Sequence, residues 1–291
     1  MKIGFIGAGR VGCSLGRYLK ESKSGWELIG YYSKSLSSAR DAADFTGSSA
    51  FTDVFEFLRG CDVLAITTPD GAIADVWQEL CTRSEFLKGR IVIHCSGAMT
   101  SQIFDGAESL DVTTASLHPF YAVSDRYQSY QALGKALFTI EGTGERFEEL
   151  FVALCDSGMR LQRMLPEKKT TYHAAASVAS NLLVGLTELS IELLCECGFD
   201  RGTARAALAP LMTGNLHAIL EKDTFGALTG PAERGDLDTV RGHMDVLDGE
   251  DLEIYRLLTK KIVGIAQLKN PDRDYSALLN LLANMRDRRG E

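Results

Sequence analysis

The chain opens Met1-Lys-Ile-Gly-Phe-Ile-Gly-Ala-Gly-Arg-Val-Gly12. A short apolar run empties into G-x-G-x-x-G and then into the helical spacing of Leu15, Tyr18 and Leu19. An apolar strand, this glycine spacing and a helix in direct succession form the turn of a βαβ unit that takes a dinucleotide. Gly7 permits the tight turn, Gly9 lets the backbone come against a pyrophosphate, and Gly12 lets the helix lie close on the sheet. Ala8, Arg10 and Val11 complete a loop in which free N–H groups and the positive end of the helix meet an anion. Alone, the hexapeptide also fits a plain strand-to-helix connection. A second strand over Trp26–Tyr32 strengthens the nucleotide reading, because it ends roughly 20 residues past the last glycine, where a ribose-reading residue belongs.

At that position stand Ser33, Lys34 and Ser35. A site for NAD wants a carboxylate there to accept from the ribose hydroxyls, whereas a 2′-phosphate wants a cation and hydroxyls. The sequence therefore favours NADP over NAD, the alternative being a solvated loop lysine. A helix is expected over Ser37–Phe45, a short strand at Ser49–Phe51 and a small helix Val54–Leu58 capped by Thr52-Asp53. Asp62–Thr68 reads as a buried parallel strand. Its end, Thr67-Thr68-Pro69, should lie against the nicotinamide half of the cofactor, since ligands lie beyond the carboxyl ends of such strands. After a helix over Gly71–Leu80, two further segments of strand and turn, Arg90–Gly97 and Val112–Pro119, bring Ser96 and His118 to the same edge as candidates for the reaction cleft. For His118, and more so for His94, a hydrogen-bonded structural imidazole is the competing reading. Strands at Lys135–Glu141 and Met159–Leu165, around a helix Glu145–Asp156, should close an α/β domain spanning residues 1–165.

A chain of 291 residues with 45% hydrophobic content can build two cores. Its net charge of −8 argues against nucleic acid or an anionic membrane as partner and for a small-molecule substrate. Seven cysteines, without zinc spacing, read as buried free thiols in a reducing cytoplasm, and no metal site is expected. Neither a cleavable leader nor an apolar stretch of membrane-spanning length is expected.

From Pro166 the strand signals vanish, and residues 166–291 should form a helical domain for substrate binding and dimerisation. Lys168–Cys197 reads as one long helix, apolar nearly all round, as suits burial against a large partner surface. It carries one polar stripe: His173, Ser177, Ser180 and Asn181. Buried polar groups left without partners cost roughly 1 to 3 kcal/mol each, so the stripe points to a cleft or, alternatively, to an interhelical hydrogen-bond network. Shorter helices are expected at Gly202–Ala209, Pro210–Lys222, Leu237–Leu247 and Leu252–Lys269, followed by a last helix with a basic tail. Between them, Thr229, Arg234 and Asp236 gather around Gly230 and Gly235 like a substrate loop, although Asp236 is also a good N-cap for the next helix.

The stretches GFIGAGRVG, SLHPF, YHAAASVASNLLVGL and ALTGPAERGD together resemble Rossmann-like proteins that carry a C-terminal helical domain of unknown function. These are similar in layout to pyrroline-5-carboxylate reductase, prephenate dehydrogenase and the β-hydroxyacid dehydrogenases. The resemblance implies a nicotinamide-dependent fold and a dimer built through the helical domain. β-Hydroxyacid dehydrogenases place a catalytic lysine on the interdomain helix. This chain has His173 on the stripe and Lys169 one turn earlier, closer to the histidine-containing motif of prephenate dehydrogenases. The function expected is NADP-dependent reduction of a C=O or C=N bond in a small carboxylate-bearing molecule. In that reading His173 is the acid/base, Asn181 and Ser96 hold the reacting atom, and Arg234 pairs with the carboxylate, with Ser177, Thr229 and Asp236 around it. The alternative is a sensor or scaffold that binds NADP without catalysis. The fold also permits a deazaflavin as second redox partner, which no residue demands.

Overall fold

The structure is a computed structural model and describes residues 1–283. The basic tail expected at the end of the chain lies outside the described residues. The molecule divides into two compact units, Met1–Leu182 and the chain from Leu183 onward.

In the first unit β1 (Lys2–Ile6), α1 (Arg10–Glu21), β2 (Glu27–Tyr32), α2 (Leu36–Thr46), β3 (Ser49–Phe51), α3 (Val54–Arg59), β4 (Val63–Ile66), α4 (Ile73–Cys81), β5 (Ile91–His94) and β6 (Thr113–Pro119) follow in order. A short α5 (Tyr130–Leu133), β7 (Leu137–Thr143), α6 (Phe147–Asp156) and β8 (Arg160–Arg163) complete the sheet. Its eight strands lie in the order β3-β2-β1-β4-β5-β6-β7-β8. All neighbours are parallel except β6 and β7, which pair antiparallel with Ser116 opposite Glu141 and His118 opposite Thr139. The central strands read as continuous apolar runs because helices cover both faces of the sheet. One face buries Phe5, Leu15, Tyr31 and Phe138, and the other Phe57, Leu64, Ile66 and Trp77. Asp53 caps α3 as expected, accepting from the N–H groups of Phe55 and Glu56.

Past the last strand, α7 (Lys169–Ala179) remains with the first unit, where its Lys169 is buried. The single long helix expected over Lys168–Cys197 is instead interrupted. α7 ends at Ser180 (φ −122°, ψ −75°), and α8 (Asn181–Glu196) begins after it. At the break the Ser180 hydroxyl bonds back to the Ala176 carbonyl at 2.7 Å and also to Asn181 Oδ1 at 3.0 Å. The expectation that no stretch is long and apolar enough to cross a membrane needs correction. Pro166–Glu196 qualifies by length and composition, with a window of mean hydropathy 1.5. Little of that window is buried within the chain.

In the second unit, α9 (Arg201–Ala227) runs through Pro210, where two helices divided at that proline were expected. Pro210 forfeits one main-chain bond, to the Ala206 carbonyl. The break falls instead at Asp223, at φ 70° and ψ −179°, where its carboxylate accepts from the N–H groups of Phe225 and Gly226 and starts the next turn. α10 (Pro231–Arg234), α11 (Leu237–Val246), α12 (Gly249–Lys269) and α13 (Ser276–Ala283) enclose a small core of Val240, Val263, Ala266, Tyr275, Leu278 and Leu282. Of the seven cysteines, Cys155 and Cys197 are exposed rather than buried, and none is paired.

Candidate active site

A cavity of about 290 Å³ opens at the carboxyl ends of β1, β2 and β4, where the strand order reverses. Gly7, Ala8 and Gly9, then Ser33 and Lys34, then Thr67, Thr68 and Pro69 line it. Two of the three glycines have a measurable steric reason. Gly7 has φ +104° and would put a Cβ 2.8 Å from the Thr67–Thr68 peptide. At Gly12 a Cβ would strike Thr67 Oγ1 and the Gly7 carbonyl oxygen at 2.6 Å, so the helix could not lie this close to the strand. A Cβ at Gly9 would meet nothing within 4 Å, which leaves open space on the loop. Gly9 is the N-cap of α1, with no side chain capping the helix and no acidic residue in its first turn. Uncapped N–H groups, open space and the buried, unpartnered Thr68 hydroxyl fit the phosphates and sugar of a dinucleotide.

The remaining predicted cofactor residues hold the loop rather than line the cavity. Ser35 is the N-cap of α2, accepting from Ser38 N, while Arg10 and Val11 begin α1. α4 supplies the opposite wall through Val76, Glu79 and Leu80, with Ala72 just before it. Glu79 is a carboxylate that the sequence did not place here. It acts on Tyr32, and burial first, then this charge, raises the phenol's pKa. Among the described residues no carboxylate forms an ion pair with Lys34.

Beyond Pro69 the polar groups continue without a gap. Asp70 Oδ2 accepts the Ser96 hydroxyl at 2.7 Å, and Ser96 Oγ in turn accepts from Ala98 N and Met99 N. Ser96 thus shapes the turn after β5. At the next residue, Gly97, a Cβ would come within 2.7 Å of His173 Cδ2 and 2.8 Å of His118 Nε2. The absence of a side chain there is what lets the two imidazoles converge. His118 is half-buried, and its Nδ1 lies 2.7 Å from the Tyr172 hydroxyl. Burial and then the Lys169 charge push its pKa down to about 4. His173 is exposed.

Behind this cluster lies a buried ionic group. Lys169, 1% exposed, is 3.8 Å from Glu141 and bonded to Ser116 Oγ. Glu141 also accepts from Ser101 N at 2.8 Å and Ser101 Oγ at 2.7 Å. Burial lowers the Lys169 pKa, and Glu141 opposes the shift.

His94 is a structural imidazole. It is fully buried, Nδ1 accepts from Ser96 N, Nε2–H donates to the Thr100 carbonyl, and burial pushes its pKa down to about 4. Unfolded, it titrates near about 6.5. Between those values the unfolded chain binds a proton that the folded chain does not. Stability should therefore be level above pH about 6.5 and fall toward pH about 4, with about 3 kcal/mol from this residue. Urea midpoints compared at neutral and mildly acidic pH check this, and His94→Gln should make that part of the profile less steep, with His118, shifted the same way, accounting for the slope that remains.

Of the polar stripe, Ser177 is half-buried, whereas His173, Ser180 and Asn181 are exposed, and Asn181 Oδ1 takes the Ser180 hydroxyl at 3.0 Å. In the second unit Thr229 and Arg234 are both exposed. Asp236 caps α11 through Thr239 N at 3.1 Å and Thr239 Oγ1 at 2.7 Å. Its neighbour Glu233 ties the motif down, with Asn270 Nδ2 at 2.9 Å and Lys269 and Arg273 each at 3.8 Å. Tyr172, Glu141 and Asp70 were not among the residues expected from the sequence. For Tyr172 a signal existed, since it falls three residues after Lys169 and next to His173, on one helix face with the lysine.

Residues 1–119 match the model of a Rossmann-like domain, and residues 136–262 match DUF2520, a domain of unknown function. No curated protein matches the chain. Among solved structures, protein TM1727 from Thermotoga maritima is 26% identical with a TM-score of 0.70, covering 92% of this chain and 99% of its own. A candidate NADP oxidoreductase, BF3122 from Bacteroides fragilis, is 21% identical with a TM-score of 0.65, over 90% of this chain and 98% of its own. The 1-pyrroline-5-carboxylate reductase of Streptococcus pyogenes is 15% identical with a TM-score of 0.62, over 92% and 98%. The chain thus carries a Rossmann-like domain over residues 1–119 and a DUF2520 match over residues 136–262, which takes in the last two strands of the sheet and the helices that follow.

Proposed function

We propose that the chain is an NADP-dependent oxidoreductase that reduces a C=O or C=N bond in a small carboxylate-bearing molecule. The observation that carries this reading is the continuity of the first unit's polar edge. Pro69 lines the dinucleotide cavity, Asp70 beside it holds the Ser96 turn, and Gly97 is where His118 and His173 converge. Bound NADPH supplies the hydride. The chain's own task is then to hold the reacting bond at this edge and move one proton. Among the described residues no hydrogen bond to a protein group occupies the His173 ring, which leaves it open to substrate. The reductases that share the fold are in keeping with this chemistry.

Lys34 and Ser33 at the end of β2 favour the 2′-phosphate, and Glu79 stands across the cavity on α4. NADPH should bind more tightly than NADH, and Lys34→Ala should erase about ten- to a hundredfold of that preference, the worth of a charge-assisted hydrogen bond. Titration of both nucleotides into the two proteins tests it. A wild type that prefers NADH, or a variant with unchanged preference, would sink the assignment. A thermal-shift screen of small imines and carbonyl acids with NADP present then narrows the substrate.

The assembly proposed is a cytoplasmic homodimer joined through the helical region. α7 exposes Val178, and α8 and α9 expose Leu183, Val184, Leu211, Leu216 and Leu220, the last at 75%. Apolar faces of this extent on a chain of net charge −8 call for an apolar partner, and a second copy supplies one. Light scattering should give twice the mass of one chain. A stable monomer at micromolar concentration would overturn the dimer.

A further inference from the structure

His118 and His173 meet over Gly97, yet their surroundings differ. His173 is exposed. His118 is half-buried and has the Tyr172 hydroxyl 2.7 Å from Nδ1. The charged and titratable groups facing His118 are Lys169 and His173 on α7, Asp70 after β4 and His94 on β5. Loss of water and the Lys169 cation oppose a charge on the ring, while Asp70 favours one. Tyr172 is half-buried itself, and burial raises its pKa, so the phenol keeps its proton and needs an acceptor. A neutral imidazole has one acceptor nitrogen, and the nitrogen within reach is Nδ1.

We propose that Tyr172 is a positioning residue that donates to Nδ1 and thereby holds neutral His118 as its Nε2–H tautomer, with that N–H facing the cleft beside Gly97 and His173. The role toward a substrate rests on the reductase reading above. As hydride adds to carbon, the electron pair of the C=O or C=N bond moves to the heteroatom. That atom is steadied by the N–H of His118 and takes its proton from His173. His118 keeps its own proton throughout. Two imidazoles in different surroundings thus divide the work, one polarising and one transferring.

Two-bond ¹⁵N–¹H correlation spectra of histidine-labelled protein, free and with saturating NADP⁺, read this without turnover. Wild-type His118 should show the Nε2–H tautomer with a titration midpoint near 4. Tyr172→Phe keeps the ring that packs at 5.3 Å against Phe120 but removes the donor, so the tautomer should become mixed while NADP⁺ affinity stays within a few fold. An Nδ1–H tautomer in wild type, a midpoint near the ordinary value of about 6.5, or an unchanged tautomer in Tyr172→Phe each overturns the assignment. If the variant fails to fold, the wild-type spectrum decides alone. Failure of NADP⁺ to bind would overturn the dinucleotide reading separately and would leave the tautomer result standing.

Discussion

Replacing Lys169 by methionine should destabilise the protein by about 3 to 5 kcal/mol, because it leaves the Glu141 carboxylate buried without its counter-charge. Glu141 is itself 3% exposed, and its remaining partners, the Ser101 amide and hydroxyl, are neutral. A loss of that size is a large share of the 5 to 15 kcal/mol, roughly, that holds a typical domain together. The double variant Lys169→Met with Glu141→Gln should recover most of it, since the amide oxygen still accepts from Ser101 and no charge is stranded. Chemical denaturation of wild type, the single variant and the double variant measures both effects. A single variant within about 1 kcal/mol of wild type would mean that the pair contributes no more than an exposed one.

His173→Gln should lower turnover by about 10² to 10⁴, the usual worth of a positioned acid/base, while leaving NADP affinity within a few fold. Glutamine keeps much of the volume and hydrogen-bonding capacity but transfers no proton near neutral pH. His173 lies on the exposed side of Gly97, so the fold does not depend on it as it does on Lys169. A large fall in melting temperature instead would assign the residue a structural role. Unchanged turnover would pass the proton transfer to Lys169 or His118.

The parts of this site that were legible in the sequence are those built by neighbours in the chain. Gly7, Gly9 and Gly12 act within one turn, and their spacing alone dictates the backbone path. The alternation of apolar runs and helical patterns likewise placed the eight strands to within a few residues. Contacts that depend on register were not legible. Tyr172 meets His118 across 54 positions, and Lys169 reaches Glu141 because β7 runs antiparallel to β6 and sets Glu141 opposite Ser116. Nothing local in the sequence announces that reversal. The breaks at Ser180 and Asp223 were missed for another reason. At each a short polar side chain takes up main-chain groups, while the helix pattern of the sequence continues on both sides.

The reversed strand also fixes which end of a helix the chemistry meets. With β7 antiparallel and β8 parallel to it, the chain leaves β8 at the edge of the sheet away from the cavity, so α7 must climb beside β6 in the same direction. Its Lys169 meets Ser116, and about one turn higher its Tyr172 meets His118. A rise of about 1.5 Å per helical residue against about 3.3 Å per strand residue keeps the two in step. α1 descends from the cavity and offers its amino-terminal end there, and α7, climbing, carries Lys169, Tyr172 and His173 in its first two turns. The two helices thus bring the same end to the polar edge, one through main-chain N–H groups and the other through side chains.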